Sequence, residues 1–239
     1  GALISALLAI GVLVAVVALI RFAPQIPALS ELPAGAELRT ERVSQPLEGI
    51  TRAQVIMDPG NAEFTLYDLA ESASLIEADV SHYGELIFDV RKRGERTEVK
   101  LDTRVTNPFF WMSAERERWD VGFSRDVLYE IELDAGSGSY DIDLSGLQVA
   151  DFDFDQGSGR TSLTLPSSGE VESTIDMGSG TLDVTLPETM AAQVKLDKGS
   201  GDFHPGTRFQ LGGASKRGDG VWETDGYDTA TNRVTLDID

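Results

Sequence analysis

Asp-x-Gly-Ser-Gly occurs four times in this chain, at Asp134–Gly138, Asp155–Gly159, Asp176–Gly180 and Asp197–Gly201. The first glycines, Gly136, Gly157, Gly178 and Gly199, are 21 residues apart each time. A fixed period in the low twenties marks a structural unit that cannot bury its own apolar face and is completed by stacking on its neighbours. With the first glycine as position zero, positions +4, +6 and +8 hold Tyr140/Ile142/Leu144, Thr161/Leu163/Leu165 and Leu182/Val184/Leu186. Positions +14, +16 and +18 hold Ala150/Phe152/Phe154, Val171/Ser173/Ile175 and Ala192/Val194/Leu196. Both triplets alternate with polar residues, the period-2 pattern of half-buried strands. Pro166 and Pro187 at +9 end the first strand of their units. The pattern extends one unit back without the glycines, through Trp119/Val121/Phe123 and Tyr129/Ile131/Leu133.

The expected fold is therefore all-β: a single-stranded, β-helix-like β-solenoid with 21-residue rungs, its parallel strands stacked about 4.8 Å apart. A β-sandwich is the alternative, and the constant phase argues against it. The repeats span about 115–205, and 206–239 is expected to be an atypical rung that caps the open end.

The chain begins with twenty uncharged, apolar or small residues, followed by Arg21. That length spans a hydrocarbon core of about 30 Å, so 1–21 is expected to be a single transmembrane helix, contacting the lipid bilayer. A retained signal sequence and a buried core helix are the alternatives. Arg21, Arg39 and Arg42 weakly favour a cytoplasmic soluble part. Residues 22–48 carry Pro24, Pro27 and Pro33 and are expected to be a Pro/Ala-rich linker. The soluble domain is expected over 49–239. It opens with strands at Gln54–Met57 and Glu63–Tyr67 around a turn at Asp58–Asn61, then a short helical or irregular piece over Leu69–Ala78. Strands at Glu85–Val90 and Glu98–Leu101 follow.

Lys and Arg number 20 against 40 Asp and Glu, a formal charge of −20. Nucleic-acid binding is excluded by repulsion from phosphate. Between Asp126 and Phe203 there are sixteen acidic residues and three basic ones, Arg160, Lys195 and Lys198. Without cysteine, thiol catalysis and cysteine-bound zinc are ruled out. His82 and His204 are the only histidines, and no serine of the repeats has a recognisable base partner, so no catalytic residue is assigned. The Gly-Ser-Gly lacks the Lys-Ser/Thr of a phosphate loop.

Asp134, Asp155, Asp176 and Asp197 share one register and should form a ladder of like charges, each neighbouring pair costing about 1 kcal/mol in a water-like dielectric. Either each carboxylate accepts hydrogen bonds from its own glycine turn, or Ca²⁺ bridges the rungs through these four aspartates. No other cofactor is expected. Phe109, Phe110 and Trp111, and the acidic strand positions Asp141, Asp143, Asp151 and Asp153, are candidate partner contacts.

The repeats resemble the toastrack group of bacterial proteins, also described as LiaF-like or adhesin-like. The stretch Leu66–Leu101, the segment Arg118–Asp126 and the closing Trp222–Asp239 support this resemblance over roughly 50–239. It implies a β-solenoid attached to N-terminal transmembrane helices in the bacterial cell membrane. It further implies a role in envelope-stress sensing or as an assembly hub, without enzymatic activity. The chain itself is expected to act through protein contacts as a sensor, scaffold or accessory subunit, with other membrane or envelope proteins, or further copies of the chain, as partners. A carbohydrate-active enzyme or adhesin on a β-helix scaffold is the competing class.

Overall fold

Period-2 alternation carries over into strands that bury every second side chain. A computed structural model describes residues 37–104, 115–197, 202–212 and 219–239. The strands are β1 (Arg39–Pro46), β2 (Arg52–Gly60), β3 (Glu63–Leu69), β4 (Ser74–His82), β5 (Glu85–Arg93), β6 (Arg96–Arg104), β7 (Arg118–Ser124), β8 (Leu128–Ala135), β9 (Ser139–Asp143), β10 (Gln148–Thr164), β11 (Glu170–Thr185), β12 (Ala191–Leu196), β13 (Phe209–Leu211), β14 (Gly220–Thr224) and β15 (Arg233–Ile238). They form one 15-stranded sheet. Among the described residues there is no α-helix, only a 3-10 turn at Tyr227–Thr229.

The sheet runs in two columns joined through the long strands β10 and β11. One column is β5-β6-β2-β8, the first halves of β10 and β11, then β15-β12-β14-β13. The other is β1-β4-β7-β3-β9, then the second halves of β10 and β11. The middle of each column is parallel, and the outer pairs β1/β4, β4/β7, β5/β6, β12/β14 and β13/β14 are antiparallel. The inward residues form one core, in which Phe152 and Phe154 stack at 5.9 Å and Tyr140 meets Phe154 edge-on at 6.1 Å.

The 21-residue phase appears directly as register. From Asp151↔Glu172 to Thr164↔Thr185 every paired residue of β10 and β11 is 21 apart, and Arg160–Thr164 pairs with Ser139–Asp143 in the same way. The prolines at +9, Pro166 and Pro187, come two residues after the last pair of this ladder, close to the expected strand ends. On the β8 side a bulge shifts the start of β10: Val149, not Ala150, lies opposite Tyr129 and is buried. Ala150 remains half-buried. The larger apolar side chain takes the core position, and one residue is looped out to allow it.

Sequence-adjacent units are not always spatial neighbours. The unit with Trp119 stacks on the unit with Tyr140 in one column only, where β8 pairs with β10; in the other, β3 lies between β7 and β9, with Phe64 opposite both Trp119 and Tyr140. β12 does not stack on β11, because β15 lies between them and Val234 faces both Val171 and Ala192. Instead of a pure terminal cap, 206–239 supplies a core strand, with Val234 and Leu236 almost fully buried, plus the outer pair β13/β14. Hydrogen bonds anchor both ends of β15. Arg233 N–H donates to Gly169 C=O at 2.9 Å and Gly169 N–H to Asn232 Oδ1 at 3.0 Å, while Met177 N–H donates to Asp239 C=O at 3.0 Å.

Two further expectations are corrected. Part of the presumed linker 22–48 is β1, which pairs along its length with β4. Arg42 there clasps Asp79 through two contacts of 2.6 Å. The piece Leu69–Ala78 contains no helix: β4 starts at Ser74, because Ile76, Ala78 and Val80 alternate inward against Phe123, Val121 and Trp119. No described helix is long and apolar enough to cross a membrane. The expected transmembrane helix at 1–21 lies outside the described residues.

Candidate functional site: an acidic sheet face and an open strand edge

The outward positions of β8, β10 and β11 make a three-by-three lattice. Its rows are Glu130/Asp151/Glu172, Glu132/Asp153/Thr174 and Asp134/Asp155/Asp176. Eight of these nine side chains are carboxylates; Glu130 is half-buried and the others are exposed. Arg96 reaches Glu130 at 2.5 Å, and none of the other seven carboxylates pairs with a Lys or Arg among the described residues. Neighbouring rungs lie about 4.8 Å apart, so the face carries a dense, regular negative charge. The consequence shows in the proton affinities. Asp155 is pushed up first by burial, then by Asp134 and Asp176 on either side. Asp151 rises for the same kind of reason, with Asp153, Glu172 and Glu130 adding to burial. Asp58 of β2 also rises, by burial and then by Asp134 and Asp102.

The expected four-aspartate ladder is present for Asp134, Asp155 and Asp176 but does not continue to Asp197. Ile238 pairs with both Ile175 and Leu196, so Asp239 stands between Asp176 and Asp197. Nor do Asp134, Asp155 and Asp176 brace their own glycine turns. β10 and β11 run through Gly-Ser-Gly as continuous strand, and the backbone of the preceding rung takes the corner amides. Ser158 N–H donates to Gly136 C=O at 3.1 Å and Arg160 N–H to Gly138 C=O at 3.3 Å, while Ser137 N–H goes to Asn61 Oδ1 at 2.7 Å. The corner is tight: at Gly159, φ is +127°, and a Cβ would lie 2.2 Å from Gly138 C=O. The carboxylates point outward side by side, and no group of three Asp, Glu or His side chains converges as a metal cage among the described residues.

The remaining candidates are scattered. Phe109, Phe110 and Trp111 lie outside the described residues. Asp141 and Asp143 are exposed on β9, in the other column. His82 is buried on β4, with Nε2 3.3 Å from Glu41 Oε1, and His204 is exposed beyond β12. Ser137 and Ser158 hydroxyls meet each other at 2.8 Å, with no base beside them. Two hollows among the described residues, of about 290 and 370 Å³, are open to solvent. One lies between Glu48–Thr51 and the β5/β6 hairpin, the other beside Gln210–Gly212 and Glu223–Thr229.

The second half of β11 is different in kind. β10 covers one side of Thr181–Thr185, and no described strand covers the other. Val184 is 37% exposed, while Leu163, one rung earlier at the same position, is 0% exposed. Sequence reasoning placed Val184 inward, and nothing in the chain's local pattern distinguishes it from Leu163.

The sequence profile for the N-terminal domain of toast_rack, DUF2154, matches residues 34–185. The chain belongs to this family. The match begins before β1 and ends at the last residue of β11, so it takes in the acidic face of this toast_rack domain and its open edge. No curated protein matches the sequence. A candidate cell adhesion protein from Clostridium sporogenes ATCC 15579 shares the fold, with a TM-score of 0.69 at 16% identity, over 84% of this chain and 94% of that one. A candidate adhesin from Parabacteroides distasonis ATCC 8503, at 10% identity over 66% of this chain and 78% of that one, has a TM-score of 0.23, which carries no argument.

Proposed function

We propose that this toast_rack chain is a non-enzymatic interaction domain on a β-solenoid, held at the bacterial cell membrane by a single pass at 1–21, acting as a scaffold, sensor or accessory subunit. One observation carries the reading: a lattice of eight outward carboxylates with a single basic partner among the described residues. Such a surface offers no concave wall to enclose a small substrate. Its field attracts a complementary basic surface and repels nucleic acid. The carboxylates lie beside one another on one face rather than opposed across a cleft, the geometry glycoside hydrolysis requires. Membership of the toast_rack family supports the interaction reading. The partners that suit it are other membrane or envelope proteins, recruited through the acidic face, with further copies of the chain as a second class.

The test uses the full chain in native membranes, cross-linked and purified, beside a variant carrying Asp151→Asn, Asp153→Asn and Glu172→Gln. The expected result is a reproducible partner whose recovery falls at least tenfold in the variant and with added salt. Recovery of no reproducible partner contradicts the reading.

A further inference from the structure

We propose that the open edge of β11, Thr181–Leu186, is a strand-addition site for an extended segment of a different polypeptide whose residues alternate between apolar and basic. The inference deepens the interaction reading above and rests on it.

The backbone geometry comes first. Leu165 N–H donates to Thr185 C=O at 3.1 Å, so Thr185 directs its backbone groups to the β10 side. Along a parallel strand this direction alternates. Thr181 and Asp183 therefore also serve β10, while Leu182 and Val184 turn their N–H and C=O groups to the open side. No backbone hydrogen bond joins Asp202–Gly206 to Thr181–Thr185 among the described residues. An unpaired edge of this kind is a template for another chain, and strand addition takes its affinity from such main-chain groups.

The side chains add the second condition. Thr161, Leu163 and Leu165 are covered by the next rung and have 0%, 0% and 1% of their surface exposed. Leu182 and Leu186 at the equivalent positions are half-buried, and Val184 is exposed. An incoming strand with apolar residues at alternate positions would bury all three, as β11 itself buries the rung before it.

Charge selects the partner. Asp183 projects from the outward face of the edge, and Glu188 and Asp202 are exposed on the segments beyond it. Among the described residues the nearby cation, Arg208, is already committed, donating to the carbonyls of Leu186 at 3.5 Å, where the free edge ends, Pro187 at 3.1 Å and Met190 at 2.6 Å. The outward residues of an added strand would therefore be Lys or Arg. A second copy pairing edge to edge would bring Asp183 towards Asp183, between chains that each carry a formal charge of −20.

The probe is a blocked nine-residue peptide of alternating valine and lysine, added to the full chain in detergent micelles. A valine–glutamate peptide and a proline-interrupted valine–lysine peptide serve as controls. Hydrogen exchange at the Leu182 and Val184 amides is the readout. The expected result is at least tenfold slower exchange at both amides with the lysine peptide and no change with either control. Val184→Pro, which removes only an outward-facing donor, should weaken peptide binding at least tenfold while the Leu163 amide stays protected, showing that the fold persists. A Leu182→Lys/Val184→Lys variant should do the same by charge and lost apolar contact. The inference is overturned if the lysine peptide fails to bind, or if it protects the β8–β11 acidic face instead of the edge. It is also overturned if both amides become protected with rising protein concentration and no peptide, which would make a second copy the occupant. A Val184→Pro chain that keeps its native membrane partner while the peptide fails at the edge would sink this inference and leave the interaction reading standing.

Discussion

Leu163 and Val184 occupy the same position in successive repeats, one residue before the strand end and three before a proline, and differ in what lies beyond them. Over Leu163 the next rung is laid down in register; over Val184 none of the described strands is. In a stacked fold the burial of a position is a property of the neighbouring rung, not of the residue's own unit. The same contrast runs through β11 itself. Among the described residues its first half is paired on both sides, by β10 and β15, and its second half on one side only. A strand from 63 residues further along closes one column, and no described strand closes the other.

The largest break of this comparison is in the inserted strand. Leu236→Asp places a carboxylate where Leu236 is 2% exposed between Ser173 and Val194, and should cost about 4 kcal/mol or more. The loss should be visible as a collapse of the denaturant midpoint. If β12 stacked directly on β11, the substitution would be mild. Next comes the matched pair itself. Leu163→Ala should cost about 3–4 kcal/mol, and Val184→Ala no more than about 0.5 kcal/mol, in the same chemical unfolding measurement. Equal costs would contradict the open edge.

Two glycines of one motif sharpen the corner. Gly159→Ala brings a Cβ against Gly138 C=O at a φ of +127°, and should cost about 2–3 kcal/mol. Gly157→Ala meets Gly136 C=O only at 3.5 Å, an ordinary contact, and should change stability by less than about 0.5 kcal/mol. Thermal melts of the two variants separate a corner built on close rung approach from one built on glycine flexibility in general.

The smallest effect is electrostatic. Asp58, Asp151 and Asp155 bind their protons more tightly in the fold than in the unfolded chain. Their contribution to stability is full below the ordinary carboxylate range and declines as pH rises through their raised values. Asp79 and Glu77 work in the opposite sense. Asp79 is held low by its hydrogen bonds to Arg42, and Glu77 by those from Ser72 and Ser74, so both withdraw stability only under stronger acid. The melting temperature should therefore rise slightly as pH falls from neutral towards the ordinary carboxylate range, and Asp155→Asn should flatten that slope. A melting temperature that falls over the same range would show that the lattice is not repulsive.

Much of this was legible in the sequence. The 21-residue period fixed the register of β8 through β11, the prolines at +9 fixed two strand ends, and the acidic outward positions were visible as every second residue. The insertions were not legible. β2, β3 and β15 have the same apolar alternation as the repeats, and pairing by such strands is decided by which edges are still open, a non-local matter. The bulge at Ala150 was hidden because Val149 and Ala150 are both acceptable inward residues until packing chooses the larger. The aspartates looked like turn braces because a single Asp-x-Gly-Ser-Gly has the composition of a turn; only the neighbouring rung shows that its amides are already taken. Val184 was hidden for the same reason as the insertions, since exposure there depends on a missing neighbour.

The open edge is best tested by native-state hydrogen exchange across the two matched strands in the unliganded chain. Protection at Thr161, Leu163 and Leu165, whose donors face β11, should match that at Asp183 and Thr185, whose donors face β10. The Leu182 and Val184 amides should exchange at least a hundredfold faster, as groups open to water. Uniform protection along Thr181–Thr185, with Leu182 and Val184 as slow as their neighbours, would mean that the edge is already paired and would contradict the account.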